Sequence, residues 1–287
     1  MNCLMWSVFS LLLRSTPELE HIIVAINGAD ERTGDPSLQN RKQWFLEDLR
    51  DLKWKLPSQG IERDMPLTII RVWSRIGHSQ AIEMAVPWVH TSMYTLSHDD
   101  VIVLDKQWSL KTSRAFQDDH CGLVYAPPLL ATGLSYVEFN GSHKINLPHL
   151  NSTFLTVRKS TISEFGVRWS GYHVTTDDFS MKDINYEEFL QFHGDAVAHA
   201  PPQDLDYKYI SMDVGTHVYY ELKKAGYKLI PMNEGDICHL TAMSWRDDNG
   251  KRQAVSANAG HIAALEEEIR AVPEYAALYD QYKSDTL

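Results

Sequence analysis

The stretch His21-Ile22-Ile23-Val24-Ala25-Ile26-Asn27-Gly28 decides the fold class. A short β-branched run closed by Asn-Gly reads as a buried parallel strand that ends in a turn. Downstream, Asp35 to Leu52 carries Leu38, Trp44, Phe45, Leu49 and Leu52 at helical spacing. Leu67 to Val72 reads as a second strand. Ser79 to Val89 reads as a helix with Ala81, Ile82, Ala85, Val86 and Val89, kinked or ended by Pro87. Ser92 to Leu96 then leads to His98-Asp99-Asp100 and the apolar Val101 to Leu104. Upstream, Met1 to Leu13 reads as a buried helix that ends before Pro17. It is shorter than the roughly 20 apolar residues a bilayer span needs. No basic residue precedes it and no small-residue cleavage site follows, so a targeting peptide is disfavoured. No other segment approaches membrane length, and no transmembrane segment is expected. This alternation predicts an α/β fold with a mainly parallel central sheet. Ligands of such sheets bind beyond the carboxyl ends of the strands, where both Asn27-Gly28 and His98-Asp99-Asp100 fall.

The second half is less regular. Gly122 to Leu130 reads as a strand and Pro-rich loop, and Thr153 to Arg158 as a strand. Ser170 to Gln203 is a polar, aromatic excursion that closes around Pro201-Pro202. Asp213 to Ala225 reads as an amphipathic helix, followed by Gly226 and a strand over Lys228 to Pro231. Pro57 to Asp64 reads as a polar break and Asp247 to Asn258 as a polar loop. His261 to Val272 and Pro273 to Lys283 read as terminal helices.

The chain has 287 residues, with 27 Lys and Arg against 38 Asp and Glu and a net charge of −11. That balance argues against non-specific nucleic-acid binding, which needs a basic surface. It suits a cation held between protein and an anionic ligand. Hydrophobic content of 44% with 23% charged residues excludes collagen, long disorder and a coiled coil. Cys3, Cys121 and Cys238 are far apart and form no CxxC, which excludes a zinc ribbon and a thioredoxin-like centre. A sparse, odd cysteine count fits a reducing compartment, so the expected location is cytoplasmic.

Four short segments carry chemistry-bearing residues. Gly77-His78-Ser79-Gln80-Ala81 nearly matches a GxSxG nucleophile elbow, but that turn needs a strand running straight into it and an upstream oxyanion loop. In His98-Asp99-Asp100, two adjacent carboxylates raise each other's pKa unless a counter-charge is present, and Mg²⁺ or Mn²⁺ supplies one. The alternative is that one carboxylate caps the next segment and the other faces water. His239, in Asp236-Ile237-Cys238-His239, reads either as a ligand or as a half-buried histidine bonded to backbone. Asp213, in Met212-Asp213-Val214-Gly215-Thr216, reads either as a reactive acid or as a helix cap.

In order and spacing these segments resemble the GT-A glycosyltransferases, in particular the large inverting family of bacterial polysaccharide synthases. The resemblance runs from about Asn2 to Trp245. Asn2–Arg14 is similar to the family's first helix, so the family's first strand has no counterpart here. Ile22–Asp30 (IIVAINGAD) resembles the second strand and nucleotide loop, and Ile76–Ala85 (IGHSQAIEMA) the helix after the third strand. Ser97–Val101 (SHDDV) resembles the metal motif, and Leu150–Lys159 (LNSTFLTVRK) the acceptor-side strand. Asp213–Ile230 resembles the Glu-Asp helix, with Met212 where the family has Glu, and Ile237–Leu240 (ICHL) resembles the histidine segment.

The resemblance implies a GT-A-like three-layer α/β/α sandwich. Residues 1–110 form its nucleotide-sugar half, 111–250 the acceptor half of the same domain, and 251–287 the C-terminal helices. It implies a metal-dependent, inverting glycosyltransferase that moves sugar from a nucleotide-diphosphate donor to a glycan, lipid or protein acceptor. Asp213 would be the base. Asn27, Gly28, Asp30, Gly77, Gln80 and Asp99 would bind the nucleotide sugar. Asp100 and His239 would hold Mn²⁺ or Mg²⁺. The rival expectations are a catalytically inactive GT-A-like binding protein and an α/β-hydrolase using Ser79.

Overall fold

Ten of the residues of Asn2–Arg14 (α1) are buried, which is why this helix is apolar on almost every side. Its few polar side chains have a common purpose. Ser7, Ser10 and Arg14 recur at helical spacing and face the strand Val101–Val103. The Ser7 hydroxyl donates to the His98 carbonyl (3.1 Å), Ser10 Oγ accepts from Val103 N (3.0 Å), and Arg14 Nη1 donates to Val103 O (2.8 Å). Backbone groups on that strand are thus satisfied by side chains of a helix instead of by another strand.

The computed structural model describes residues 1–27, 36–56, 60–72, 78–127, 136–139, 143–146, 153–166, 169, 173–175, 209–211, 215–240 and 248–283. After α1 come β1 (Ile22–Ile26), α2 (Pro36–Arg50), β2 (Lys53–Leu56), β3 (Ile61–Asp64) and β4 (Leu67–Arg71). Next are α3 (His78–Ala85), a 3-10 turn at Val86–Trp88, β5 (Met93–Ser97), β6 (Val101–Val103), α4 (Trp108–Ala115) and β7 (Cys121–Tyr125). Then follow β8 (Tyr136–Phe139), β9 (His143–Asn146), β10 (Phe154–Arg158), α5 (Lys159–Glu164), β11 (His173–Thr175) and β12 (Tyr209–Ser211). The chain continues through α6 (Thr216–Lys224), β13 (Lys228–Pro231), β14 (Ile237–His239), α7 (Asp248–Ala257), α8 (Ala259–Arg270) and α9 (Pro273–Tyr282).

The α/β class holds, and the pairing within the sheets is mixed. β1 and β4 are parallel, with Ile26 opposite Arg71. In the four-stranded sheet β13-β7-β10-β5, β13 runs parallel to β7, whereas β10 is antiparallel to both β7 and β5. β6 pairs antiparallel with β14. The parallel pairs expected from the sequence are thus joined, among the described strands, by antiparallel neighbours that the patterning did not distinguish. The cause is a pattern degeneracy: strands buried on both faces are apolar throughout whichever way their neighbours run.

Two polar segments are also ordered. Ile61–Asp64, read as a break, pairs with Lys53–Leu56 as an antiparallel hairpin. Asp248–Ala257, read as a loop, is helical. The helix expected from Asp213 begins at Thr216, behind Gly215 in a left-handed conformation (φ 91°). Pro87 ends α3 in the 3-10 turn. The excursion 170–203 lies outside the described residues apart from β11.

The largest core lies under α1. Phe9 meets Phe45 of α2 (ring centroids 5.8 Å) and Tyr275 and Tyr279 of α9 (5.4 and 6.3 Å). Among the described residues no helix is long and apolar enough to cross a membrane.

Candidate metal centre

The site forms where β5 leaves its sheet and β6 begins. His98 N donates to Thr153 O (2.9 Å), which prolongs the β5–β10 ladder by one bond. The His98 carbonyl accepts from Ser7 of α1, so the backbone here is held from two sides. Val101, Ile102 and Val103 are fully buried, as a β-branched strand between a helix and a partner strand should be. That partner is β14, in which His239 lies opposite Val101, and Leu240 N donates to Asp100 O (2.9 Å). The ladder therefore brings His239 from a remote part of the chain beside Asp100.

The Asp100 side chain is 8% exposed and its Oδ1 lies 3.3 Å from His239 Nε2, itself 27% exposed. His98 completes the group: its ring is 6.2 Å from that of His239 at 80°. One ligand atom from each of His98, Asp100 and His239 lies within 4.8 Å of the others. Metal–ligand bonds of about 2.0–2.2 Å put adjacent donors about 3.0–3.5 Å apart, so the Asp100–His239 spacing already suits a shared ion. Two imidazoles and one buried carboxylate are donors that a divalent cation accepts. The residues present therefore fit a metal ion.

Asp99 points elsewhere. Its side chain is 52% exposed and pairs with Lys42 Nζ of α2 at 3.3 Å. α2 also binds the carboxyl end of the β1–β4 pair: Arg71 Nη2 donates to Asn40 (2.8 Å), and Arg71 Nη1 donates to Gln43. Asn27 directly follows Ile26, which lies opposite Arg71. The first turn of α1 is near as well: the Cys3 thiol is pushed up to about 11, chiefly by burial and next by the Asp99 charge.

Of the residues named from sequence, Asp100 and His239 are brought together, Asp99 stands on the exposed side of the same turn, and Asn27 ends β1. Gln80 is an exposed residue of α3. Gly28, Asp30, Gly77 and Asp213 lie outside the described residues. Ser79 is the second residue of α3, and residues 73–77 ahead of it also lie outside them. Sequence reasoning missed two side chains. His98 stood in the quoted motif, two residues from Asp100, in the turn that joins β5 to β6. Lys42 had no local signal.

No family model matches the chain, and no curated protein matches it. Among solved structures, the crystal structure of S. aureus TarS 1-349 aligns with a TM-score of 0.38 and 10% identity. The alignment covers 78% of this chain and 60% of that one.

Proposed function

We propose that the chain is a metal-dependent, inverting glycosyltransferase that uses a nucleotide-diphosphate sugar. The observation that supports this reading is the 3.3 Å approach of Asp100 and His239, two remote residues that the family resemblance pairs as cation ligands. In the proposed reaction the acceptor hydroxyl attacks the anomeric carbon, and the bond to the diphosphate oxygen breaks. The hydroxyl proton passes to Asp213, and a nucleoside diphosphate departs. Asp100 and His239 would hold a divalent cation, whose chemistry there would be Lewis-acid stabilisation of the departing diphosphate. Lys42 places a positive charge beside Asp99 and orients that carboxylate toward the nucleotide ribose. Asn27 contributes an amide at the end of β1 for the same nucleotide.

Thermal shifts with a panel of nucleoside diphosphates, with and without Mn²⁺, test the reading, because ligand binding to the native state raises its stability. A shift that needs both components is expected for the parent chain. Asp100→Ala should abolish it. Asp213→Asn should keep it and lower sugar transfer by about 10²-fold or more, the usual contribution of a general base. Transfer by Asp213→Asn at the parent rate would remove the base assignment. Binding without turnover of any donor by the parent would leave a binding protein instead of an enzyme.

A further inference from the structure

We infer that the groove between α4 and β13 is a docking site for a basic segment of a protein partner, anchored by one arginine side chain. The groove lies at the end of the β6–β14 ladder remote from His239, and it is independent of the glycosyltransferase reading.

The first observation is shape. Among the described strands β13 ends its sheet, and α4 packs over the neighbouring β7. Lys111 and Ala115, four residues apart on one face of α4, form one wall of the groove. Val124, Ile230 and Met232 supply an apolar floor. The cavity is about 100 Å³. Pockets for cofactors and small molecules run to roughly 300–1,000 Å³, so this one suits a single inserted side chain.

The second observation is charge. Lys111 Nζ is 2.8 Å from Asp105 Oδ2 but 3.8 Å from Asp236 Oδ1, too far for a hydrogen bond. Asp236 Oδ2 accepts from Asn233 N (3.0 Å) and Asn233 Nδ2 (3.2 Å). Among the described residues, Oδ1 thus has only a distant counter-charge, on a side chain 12% exposed. Glu234 is exposed in the same turn, and Lys106 is turned to Glu268 at 3.1 Å. Asp105, Glu234 and Asp236 therefore outnumber Lys111, and the complement to this end of the groove is a cation. The third observation is Pro231, exposed at the end of β13. It has no N–H to offer, which disfavours strand addition along that edge. A partner engages here through a side chain instead.

The chemistry of the groove selects arginine. Its stem lies along the apolar floor while its head reaches Asp236, as amphipathic side chains do. A guanidinium is planar, permanently charged and more weakly hydrated than an ammonium, so it enters a half-buried site at lower cost than lysine. Lys111 keeps Asp105, and the arginine takes Asp236 Oδ1. The net charge of −11 draws a basic partner from a distance.

The experiment uses the full chain, isotope-labelled at its methionine methyl groups and titrated with an acetylated peptide of alternating arginine and glycine. Met232→Leu assigns the Met232 signal. That signal should shift to saturation in the parent, with weaker binding at higher salt. Asp236→Asn should weaken binding by about tenfold or more, the worth of a hydrogen bond to a charged group. Ala115→Leu, which fills the groove without altering its charge, should abolish the shift. Lys111→Gln should tighten binding by about threefold or more, because a like charge beside the guanidinium is removed. A Met232 signal that the arginine peptide does not move would overturn the inference. So would equal binding of a citrulline peptide, or looser binding by Lys111→Gln. Spermidine binding as tightly as the peptide would mark a small-amine site and overturn the partner assignment. None of these outcomes alters the nucleotide and Mn²⁺ results that test the proposed function.

Discussion

The hydroxyl of Tyr275 shows how much one atom can hold. It donates to Lys53 O and accepts from Lys55 N, both at 2.9 Å, and so pins β2 to α9. The ring is completely buried, and burial pushes its phenol up to about 12. Tyr275→Phe removes both bonds with little change of shape. The expected cost is about 1–3 kcal/mol of unfolding free energy, the penalty for leaving buried polar groups unsatisfied. Urea titration measures it, and an unchanged midpoint would show that water replaces the hydroxyl. Nothing local to Tyr275 announces this role, because its partners lie more than 200 residues away. The same is true of Lys42 and Asp99, which are 57 residues apart. By contrast, Asp100 and His239 were legible because each sits in a short motif with a recognisable order. His98 was visible in the same motif, but its place beside Asp100 acquires meaning only once the turn between β5 and β6 brings both next to His239.

Elements were legible where an apolar pattern and a punctuating residue agreed. Helix α6 is an example. Gly226 follows it with φ 79°, Gly226 N bonds Lys223 O (3.0 Å), and Tyr227 N bonds Leu222 O (2.9 Å). That is a Schellman ending, and a glycine after an amphipathic stretch announces it. Helix α7 was hidden for the opposite reason: Asp248-Asn249-Gly250 carries turn chemistry, and Ala254 is the one residue of its helix buried in the large core. Strand β3 has a single apolar residue, Ile61, and is held by the ladder to β2. Ser7 and Ser10 were read as part of an apolar run that stops before Arg14, yet Ser7 bonds the His98 carbonyl and Ser10 and Arg14 bond Val103 of β6. Close packing between elements left no pattern at all. A Cβ built on Gly122 of β7 would stand 2.8 Å from Tyr227 Cβ and 2.9 Å from Leu222 Cδ2. The tyrosine atom is fixed to the backbone just past α6 and cannot swing aside. Gly122→Ala should therefore separate α6 from the sheet at a cost of about 1–3 kcal/mol, as overpacking does. A variant with the parent's melting temperature would show that the β7–α6 interface is looser than described.

At the scale of the whole molecule, a seam of aromatic rings ties the amino-terminal helix to the carboxyl-terminal one. Phe9 packs at an angle against Tyr275 and edge-to-face against Tyr279, Phe45 edge-to-face against Tyr282 (5.8 Å), and Trp6 Nε1 donates to Tyr279 Oη (3.0 Å). Tyr275 and Tyr279 are fully buried and Tyr282 nearly so. Burial pushes all three phenols upward. Tyr282, also bonded to Asp48, reaches about 12, and Tyr279 is raised further by the neighbouring Glu266. A phenol whose native pKa exceeds its unfolded value near 10 keeps its proton in the native state after the unfolded chain has lost it. Between those two values the unfolded state binds fewer protons, so the slope of stability against pH is negative. The seam's contribution is thus complete below pH 10 and is lost progressively as pH rises toward 12. The Lys55–Glu274 ion pair raises its base too, so it adds to the decline in the same direction. Urea midpoints measured at pH 9, 10.5 and 11.5 should stay level to about pH 10 and then fall. Tyr279→Phe, which removes one of the three phenols, should make the fall shallower even if the variant begins less stable at pH 9. Midpoints that remain level to pH 11.5 would mean that the phenols reach solvent, and that α9 does not close over α1 in solution.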